Sequence, residues 1–313
     1  MKVTVVGAGV TGLTTALRLL EAGRRVRVVT AEPTMETTSA VAGAVWYPYR
    51  AEPRDRVVTW GARTVEVLTA LAARGVGGVR LVDLVEVLPA PAPDPWFRDA
   101  VAGFHRLGPG ELPAGHEHGW GFVAPLAPTP QYLPWLLEEV RRAGGALETR
   151  RLDSLRQVSE DADVVVCCAG LGARELVGDT SVFPVRGQVA VVENPGLERV
   201  LVNDAQPDAP TYAIPRGADC VLGGTAEEGD WSVTPRQATG AGILARCTAL
   251  EPRLEGARVL AHRAGLRPAR PVVRLEVEAL EAVPVVHNSG HGGAGIPLSW
   301  GCAEEVAALV ERL

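Results

Sequence analysis

Lysine is almost missing from this chain: Lys2 stands alone against thirty arginines. The arginines are scattered, with no dense basic run interleaved with aromatics, so the sequence lacks the footprint of a nucleic-acid surface. The bias reads as a coding preference. No apolar stretch approaches the roughly 20 residues needed to span a bilayer, and Met1 leads straight into an apolar strand without the regions of a secretion leader. Cysteine is sparse. The five (Cys167, Cys168, Cys220, Cys247, Cys302) are odd in number and form no CxxC, which argues against a disulfide framework and for a reducing compartment. There is no GxSxG elbow and no spaced carboxylate pair to suggest a hydrolase. Internal repeats and low-complexity segments are absent as well. The expectation is a soluble, cytoplasmic protein with neither membrane nor nucleic acid as partner.

At 313 residues, 47% apolar and net charge −6, the chain can bury a large core and is expected to form two lobes. Its most informative feature is a pair of glycine clusters about 280 residues apart. The first, Gly7-Ala8-Gly9-Val10-Thr11-Gly12, directly follows the apolar strand Val3 to Val6. A helix is predicted from Thr11 to Glu21, with Leu13, Leu17 and Leu20 at helical spacing, then a stop at Gly23 and a second strand from Arg25 to Thr30. Glu32 lies twenty residues after Gly12, the separation at which a carboxylate can accept hydrogen bonds from a ribose. In this fingerprint Gly7 makes the tight turn, Gly9 lets a pyrophosphate approach the backbone, and Gly12 lets helix and strand pack closely. The second cluster runs from His287 to Ile296 and precedes a helix predicted from about Leu298 to Leu313. Two glycine loops at opposite ends of the chain suit one extended flavin dinucleotide better than a nicotinamide one.

Between the loops the pattern changes. Pro89, Pro91, Pro93, Pro95, Pro109, Pro113, Pro125, Pro128 and Pro130 break any long element, so residues 89 to 130 are expected to be loops and short strands on another lobe. A helix returns from Tyr132 to Ala143, and Asp163 to Gly170 reads as a buried strand running into a glycine turn. Residues 184 to 266 favour short strands such as Gln188 to Val192 and Cys220 to Gly224. The fold class expected is α/β: a discontinuous Rossmann-like FAD-binding domain (1–45, 146–183, 265–313) with an inserted β-rich substrate-binding domain (46–145, 184–264).

Several residues could carry chemistry. Arg267, between Leu266 and Pro268, fits a bidentate grip on a carboxylate, and on pattern alone fits a surface ion pair equally well. His116-Glu117-His118 could suggest a metal, but with no third partner a solvated loop is the expectation. His287 and His291 read as hydrogen-bonded spacers rather than bases. Cys167 and Cys168 point to opposite faces of a strand, so they are poor joint ligands.

Taken together, these pieces resemble the D-amino-acid oxidase family nearly end to end. The resemblance is carried by residues 5 to 13, Thr37-Thr38-Ser39, Ala42-Gly43-Ala44-Val45-Trp46-Tyr47-Pro48-Tyr49, the strand and turn at 164 to 170, Arg186-Gly187-Gln188, Tyr212-Ala213-Ile214-Pro215 and Leu222-Gly223-Gly224-Thr225. Most specific are Gly265 to Pro271 and His287 to Gly295. The resemblance implies FAD as cofactor, with Arg267 and the Tyr212 hydroxyl binding the substrate carboxylate and the Gly293 carbonyl accepting from the amine. It places Gly43, Ala44 and Val45 near the flavin ring, Thr37 and Thr38 near the phosphates, Leu152 near the adenine, and Gly292, Gly293, Gly295, Ile296 and Pro297 on the flavin's pyrimidine side. The implied reaction is oxidative deamination of a D-amino acid by hydride transfer from Cα to the flavin, with molecular oxygen as acceptor and a homodimer as one assembly to consider.

Three departures stand out. Asp208 occupies the position of a second family tyrosine, Ala294 and Pro297 replace a tyrosine and a threonine, and the chain ends Glu311-Arg312-Leu313 without a peroxisomal tripeptide. These suggest a bacterial-type enzyme with a more open pocket, Asp208 facing its entrance and repelling a second substrate carboxylate. The alternatives are an oxidase of D-aspartate, glycine or an N-methyl amino acid, and a dinucleotide-binding redox sensor without turnover.

Overall fold

The computed structural model describes residues 1–108, 110–280 and 283–313; Pro109, one of the expected breakers, lies outside them. The chain opens with β1 (Lys2–Val6), α1 (Val10–Glu21) and β2 (Arg25–Thr30). The buried face of α1 carries Leu13, Leu17 and Leu19, and its helix ends where Gly23 takes a φ of 74°. There follow α2 (Arg54–Ala73), β3 (Arg80–Leu88), β4 (Ala102–Arg106), β5 (His118–Leu126), α3 (Thr129–Arg142) and β6 (Ala146–Thr149). Next come α4 (Arg156–Ser159), β7 (Val164–Cys167), α5 (Ala173–Leu176), β8 (Phe183–Glu193), β9 (Val200–Asn203), β10 (Thr211–Pro215) and β11 (Asp219–Gly223). The short β12 (Glu227–Glu228), α6 (Gln237–Leu250), β13 (Val259–Leu280), β14 (Val283–His291) and α7 (Gly295–Glu311) complete the order.

The strands form one sheet in the order β4-β5-β3-β9-β10-β11-β8-β13-β14-β7-β1-β2-β6, with β12 paired to β8 off this path. From β14 to β6 the pairs are parallel, with Val3 opposite Val164 on one side and Val26 on the other. At the centre of this half β7 is buried on both faces and reads as a continuous apolar run, whereas the edge strand β6 is only partly buried. From β14 back to β9 the pairs are antiparallel. The 22-residue β13 belongs to both halves: Val259 to Ala269 pairs with β8, and after a register shift Arg274 to Leu280 pairs with β14. One strand thereby carries residues from the antiparallel sheet to the edge of the dinucleotide fold.

Several boundaries differ from the sequence expectation. The helix expected from Tyr132 starts at Thr129, because Pro130 sits in the first turn, where no backbone N–H is required. The terminal helix starts at Gly295 rather than Leu298, inside the glycine cluster itself. Besides the single-turn α4 and α5, two long helices were not anticipated. α2 buries Val57, Trp60, Thr64, Leu68 and Leu71 at helical spacing, although Val and Thr dilute its propensity. α6 lies in the stretch expected to hold only short strands and packs Ile243, Cys247 and Leu250 onto the antiparallel half with Leu201, Ala213 and Leu222. Although α2 and α3 lie within residues 46–145, α2 packs on α7 and α3 on α1. The central core draws together Leu13, Trp46, Trp60, Leu136 and Trp300. Cys168 joins this core, while Cys167 joins a second cluster on the opposite face with Val29, Val165 and Ala173, as strand alternation requires.

Candidate active site

The N-terminal loop shows why its glycines are glycines. Gly7 adopts a φ of 112°, and a Cβ there would lie 2.4 Å from the Cys168 carbonyl oxygen. A Cβ on Gly12 would lie 1.9 Å from the Gly7 carbonyl oxygen, so helix and loop could not approach as they do. On Gly9 it would come 3.1 Å from Ser39 Oγ, which accepts a 3.0 Å hydrogen bond from the Val10 N–H at the start of α1. Neither α1 nor α7 is capped by the side chain of its own N-cap residue, and the first residues of both helices line the same cavity of about 850 Å³. Two helix N-termini thus bring positive partial charge to one space. Thr14 Oγ1 donates to the Ser299 carbonyl at 3.2 Å and Asn288 Nδ2 to Thr15 Oγ1 at 3.1 Å, locking α1, α7 and β14 together.

The residues singled out from the sequence converge on this cavity. Its lining includes Gly7, Ala8, Gly9, Val10, Thr11, Glu32, Thr37, Thr38, Ser39, Gly43, Ala44, Val45 and Leu152, together with Tyr212, Arg267, Gly292, Gly293, Gly295, Ile296 and Pro297. Gly12 lies behind the wall, in the packing position expected of it. The volume, the glycine cradle and the paired helix ends fit a flavin dinucleotide. Glu32, just past the end of β2, lines the same cavity.

At the other end the walls are side chains. Arg267 projects from β13 over Gly187 of β8, where a Cβ would lie 2.5 Å from the guanidinium carbon and both terminal nitrogens. Its Nη1 donates to the Thr225 carbonyl at 2.9 Å, and among the described residues no carboxylate pairs with it. Tyr212 fills the gap left by Gly223, whose Cβ would fall 1.8 Å from the tyrosine Cζ. Burial raises the Tyr212 pKa, an effect that hydrogen bonding to Arg267 and its charge partly offset. A Cβ on Gly293 would sit 2.9 Å from the Tyr49 ring and 3.6 Å from Arg267 Cδ. Gly43 passes equally close to Ile214 Cδ1, with 2.5 Å to a Cβ, so the stretch expected beside the flavin abuts β10.

Some expectations are corrected. Asp208 does not line the cavity: it is exposed, and its carbonyl accepts from the Ala226 N–H. A carboxylate that does line the cavity is Asp204, four residues earlier, which the sequence reading did not identify; nor did it give Tyr47 or Tyr49 a role. Tyr47-Pro48-Tyr49 carried a signal as part of the quoted motif, whereas Asp204 carried none. The two histidines differ. His287 lies outside the lining and bonds Glu278 Oε2 at 2.9 Å, whereas His291 lines the cavity, with burial lowering its pKa to about 4. His291 is therefore neutral at ordinary pH. Among the described residues no cluster of three or more His, Cys, Asp or Glu is arranged to hold a metal.

With this geometry in place, comparison with known proteins is direct. Residues 2–309 match the FAD dependent oxidoreductase family, DAO. The chain belongs to that family. It is 59% identical to a D-amino-acid oxidase of Rubrobacter xylanophilus over 310 residues, covering 98% of this chain and 95% of the relative. To a D-amino-acid oxidase of Streptomyces coelicolor it is 48% identical over 320 residues, covering 98% and 96%. A glycine oxidase structure from Geobacillus kaustophilus superposes with a TM-score of 0.83 at 21% identity, covering 99% of this chain and 94% of that one, a likeness of fold. FAD is the cofactor of the family, and the α/β architecture expected from the sequence is the one found. No helix among the described residues is long and apolar enough to cross a membrane.

Proposed function

We propose that the protein oxidatively deaminates D-amino acids to 2-oxo acids, ammonia and hydrogen peroxide. The observation that carries this reading is Arg267, an arginine facing a cofactor-sized cavity without a carboxylate partner among the described residues, with the partly buried Tyr212 lining the same cavity. A guanidinium left without a carboxylate in such a space suits a substrate carboxylate. When bound, FAD supplies the acceptor for the hydride leaving Cα, and molecular oxygen takes the electrons onward.

The chain's own residues act chiefly by orientation. Arg267 and the Tyr212 hydroxyl hold the carboxylate, and the Gly293 carbonyl accepts from the amine. Together they fix which way the Cα–H points. No side-chain base is needed, because the amine can lose its proton on or before binding, and His291 in its apolar surroundings has lost most of its basicity. The imino acid is then hydrolysed to the 2-oxo acid and ammonia. In this reading residues 1–45, 146–183 and 265–313 build the cofactor lobe, helped by α2 and α3, while the remaining inserted segments build the substrate lobe. Five unpaired, buried cysteines favour a reducing, cytoplasmic setting.

The test is anaerobic. Holoenzyme mixed with D-alanine should lose its yellow flavin absorbance, and with L-alanine it should not, since inverting Cα turns its hydrogen away while carboxylate and amine stay pinned. Bleaching by both enantiomers would overturn the orientation argument. Bleaching by neither would overturn the oxidase reading and leave a redox-sensing dinucleotide protein.

A further inference from the structure

Beyond the groups assigned to the carboxylate and amine, several residues lining the cavity carry a buried polar atom without a partner among the described residues: Asn288, Ser289 and His291 in the glycine cluster, and Tyr49 and Asp204 away from it. Asp204 Oδ1 and the Tyr49 hydroxyl are both buried and without hydrogen-bond partners among the described residues, and both residues line the cavity. Their position follows from the sheet. In β9, Val202 pairs with Tyr212, and Asp204 comes two residues later, just past the strand's end. Tyr49 links this corner to the anchor, because its ring and the Arg267 stem both lie close to Gly293.

We propose that Asp204 determines side-chain specificity, selecting D-amino acids whose side chain ends in a hydrogen-bond donor, a protonated amine or guanidinium above all. This rests on the reading in which Arg267 holds the α-carboxylate. With that end fixed, the substrate side chain can extend along the Tyr49 ring toward Asp204. A half-buried carboxylate with an unsatisfied oxygen gains from a cationic ligand group and opposes another carboxylate.

The surrounding groups leave the position open to such a ligand. On β3, Glu86 is held by the Tyr47 hydroxyl at 2.9 Å and by Trp120 Nε1 at 2.6 Å, and it does not line the cavity. Arg50 is directed elsewhere, donating to the Pro207 carbonyl at 3.1 Å and stacking 4.8 Å from the Tyr49 ring centroid. Its charge lowers the Asp204 pKa without reversing the effect of burial, which raises it to about 6. Tyr47, Tyr49 and Tyr212 all have raised pKa values, with burial as the main cause, and stay neutral through the assay range. Asp204 is therefore charged above about pH 6 and neutral well below it.

The experiment compares kcat/KM for D-arginine and D-norleucine, whose side chains both begin with an unbranched alkyl stem but differ in charge at the end, using FAD-loaded enzyme at about pH 5 and pH 8. In the wild type the D-arginine to D-norleucine ratio should rise several-fold from the lower to the higher pH. Asp204→Asn should lower the ratio at pH 8 about tenfold, chiefly through the KM for D-arginine, and flatten its pH dependence. A pH-independent wild-type ratio, or one that Asp204→Asn leaves unmoved, overturns the assignment. If Asp204→Asn does not retain FAD, the wild-type pH comparison decides alone. D-alanine separates the two levels of inference: oxidation of D-alanine with an unmoved ratio sinks only the role of Asp204. No turnover of any D-amino acid sinks the oxidase reading and this inference with it.

Discussion

The two ends of the cavity are built from different material. The cofactor end is backbone: glycine turns, strand termini and the starts of α1 and α7. The end proposed to hold the substrate is side chain: Arg267, Tyr212, Tyr49 and Asp204, reaching in from β13, β10 and the loops after Val45 and β9. Glycine serves both ends differently. At Gly7 and Gly12 its lack of Cβ brings backbone against backbone, whereas Gly187 and Gly223 make room for the arginine and the tyrosine. A fault at the first end should therefore lose the cofactor, and a fault at the second should lose substrate affinity with the cofactor still in place.

Gly12→Val gives the sharpest break at the cofactor end. Its Cβ would have to sit 1.9 Å from the Gly7 carbonyl oxygen, so α1 must shift away from the loop that shapes the phosphate site. Overpacking of this kind costs about 3 kcal/mol or more, and the variant is expected to purify largely free of flavin. Absorbance of the released cofactor per protein checks it. Stoichiometric FAD would show that close packing here is not what forms the site. Arg267→Ala is the counterpart at the other end. Removing the charged partner of a buried carboxylate costs about 3 kcal/mol, roughly a 100-fold loss in kcat/KM for neutral D-amino acids, with FAD still bound.

This contrast also explains what could be read from the sequence. A backbone-built end needs consecutive residues with fixed conformations, so Gly7 to Gly12, Glu32 and the cluster at 287 to 296 were recognisable as a dinucleotide site before any fold was known. The central parallel strands β1 and β7 were equally clear, because burial on both faces leaves them largely apolar. At the side-chain end Arg267 remained ambiguous until family resemblance was considered, since nothing local shows which strand it faces. Asp204 could not be found at all: its place at the cavity depends on β9 pairing with both β3 and β10, contacts spanning more than a hundred residues on one side. Asp208, expected to face the pocket, illustrates the opposite error. Four residues along a loop are enough to carry a carboxylate from the cavity to solvent. α6 was missed because glycine and alanine dilute its apolar stripe, and it is held by the sheet beneath it rather than by its own pattern.

Gly187→Ala tests whether the gap beneath Arg267 is needed. One methyl 2.5 Å from three guanidinium atoms must tilt the arginine, though the end of a long side chain can yield where backbone cannot. The expected loss is about tenfold in kcat/KM, near 1.4 kcal/mol and carried mainly by KM, with flavin content unchanged. Loss of flavin in this variant would blur the distinction between the two ends.

The mildest change is Tyr212→Phe. The ring still fills the space that Gly223 leaves, so packing survives and only a hydroxyl is removed. Burial holds the Tyr212 pKa above its ordinary value, so the hydroxyl remains protonated at assay pH and can donate to the substrate carboxylate while it accepts from Arg267. Losing one such bond costs about 1 kcal/mol, roughly fivefold in kcat/KM. Because the group does not ionise below its raised pKa, the wild type and the phenylalanine variant should give pH profiles of the same shape between about pH 6 and 9, separated by a constant factor. A gap that widens with pH would mean that Tyr212 loses its proton within that window and takes part as a base, and a loss exceeding that of Arg267→Ala would exchange the roles given to the two residues.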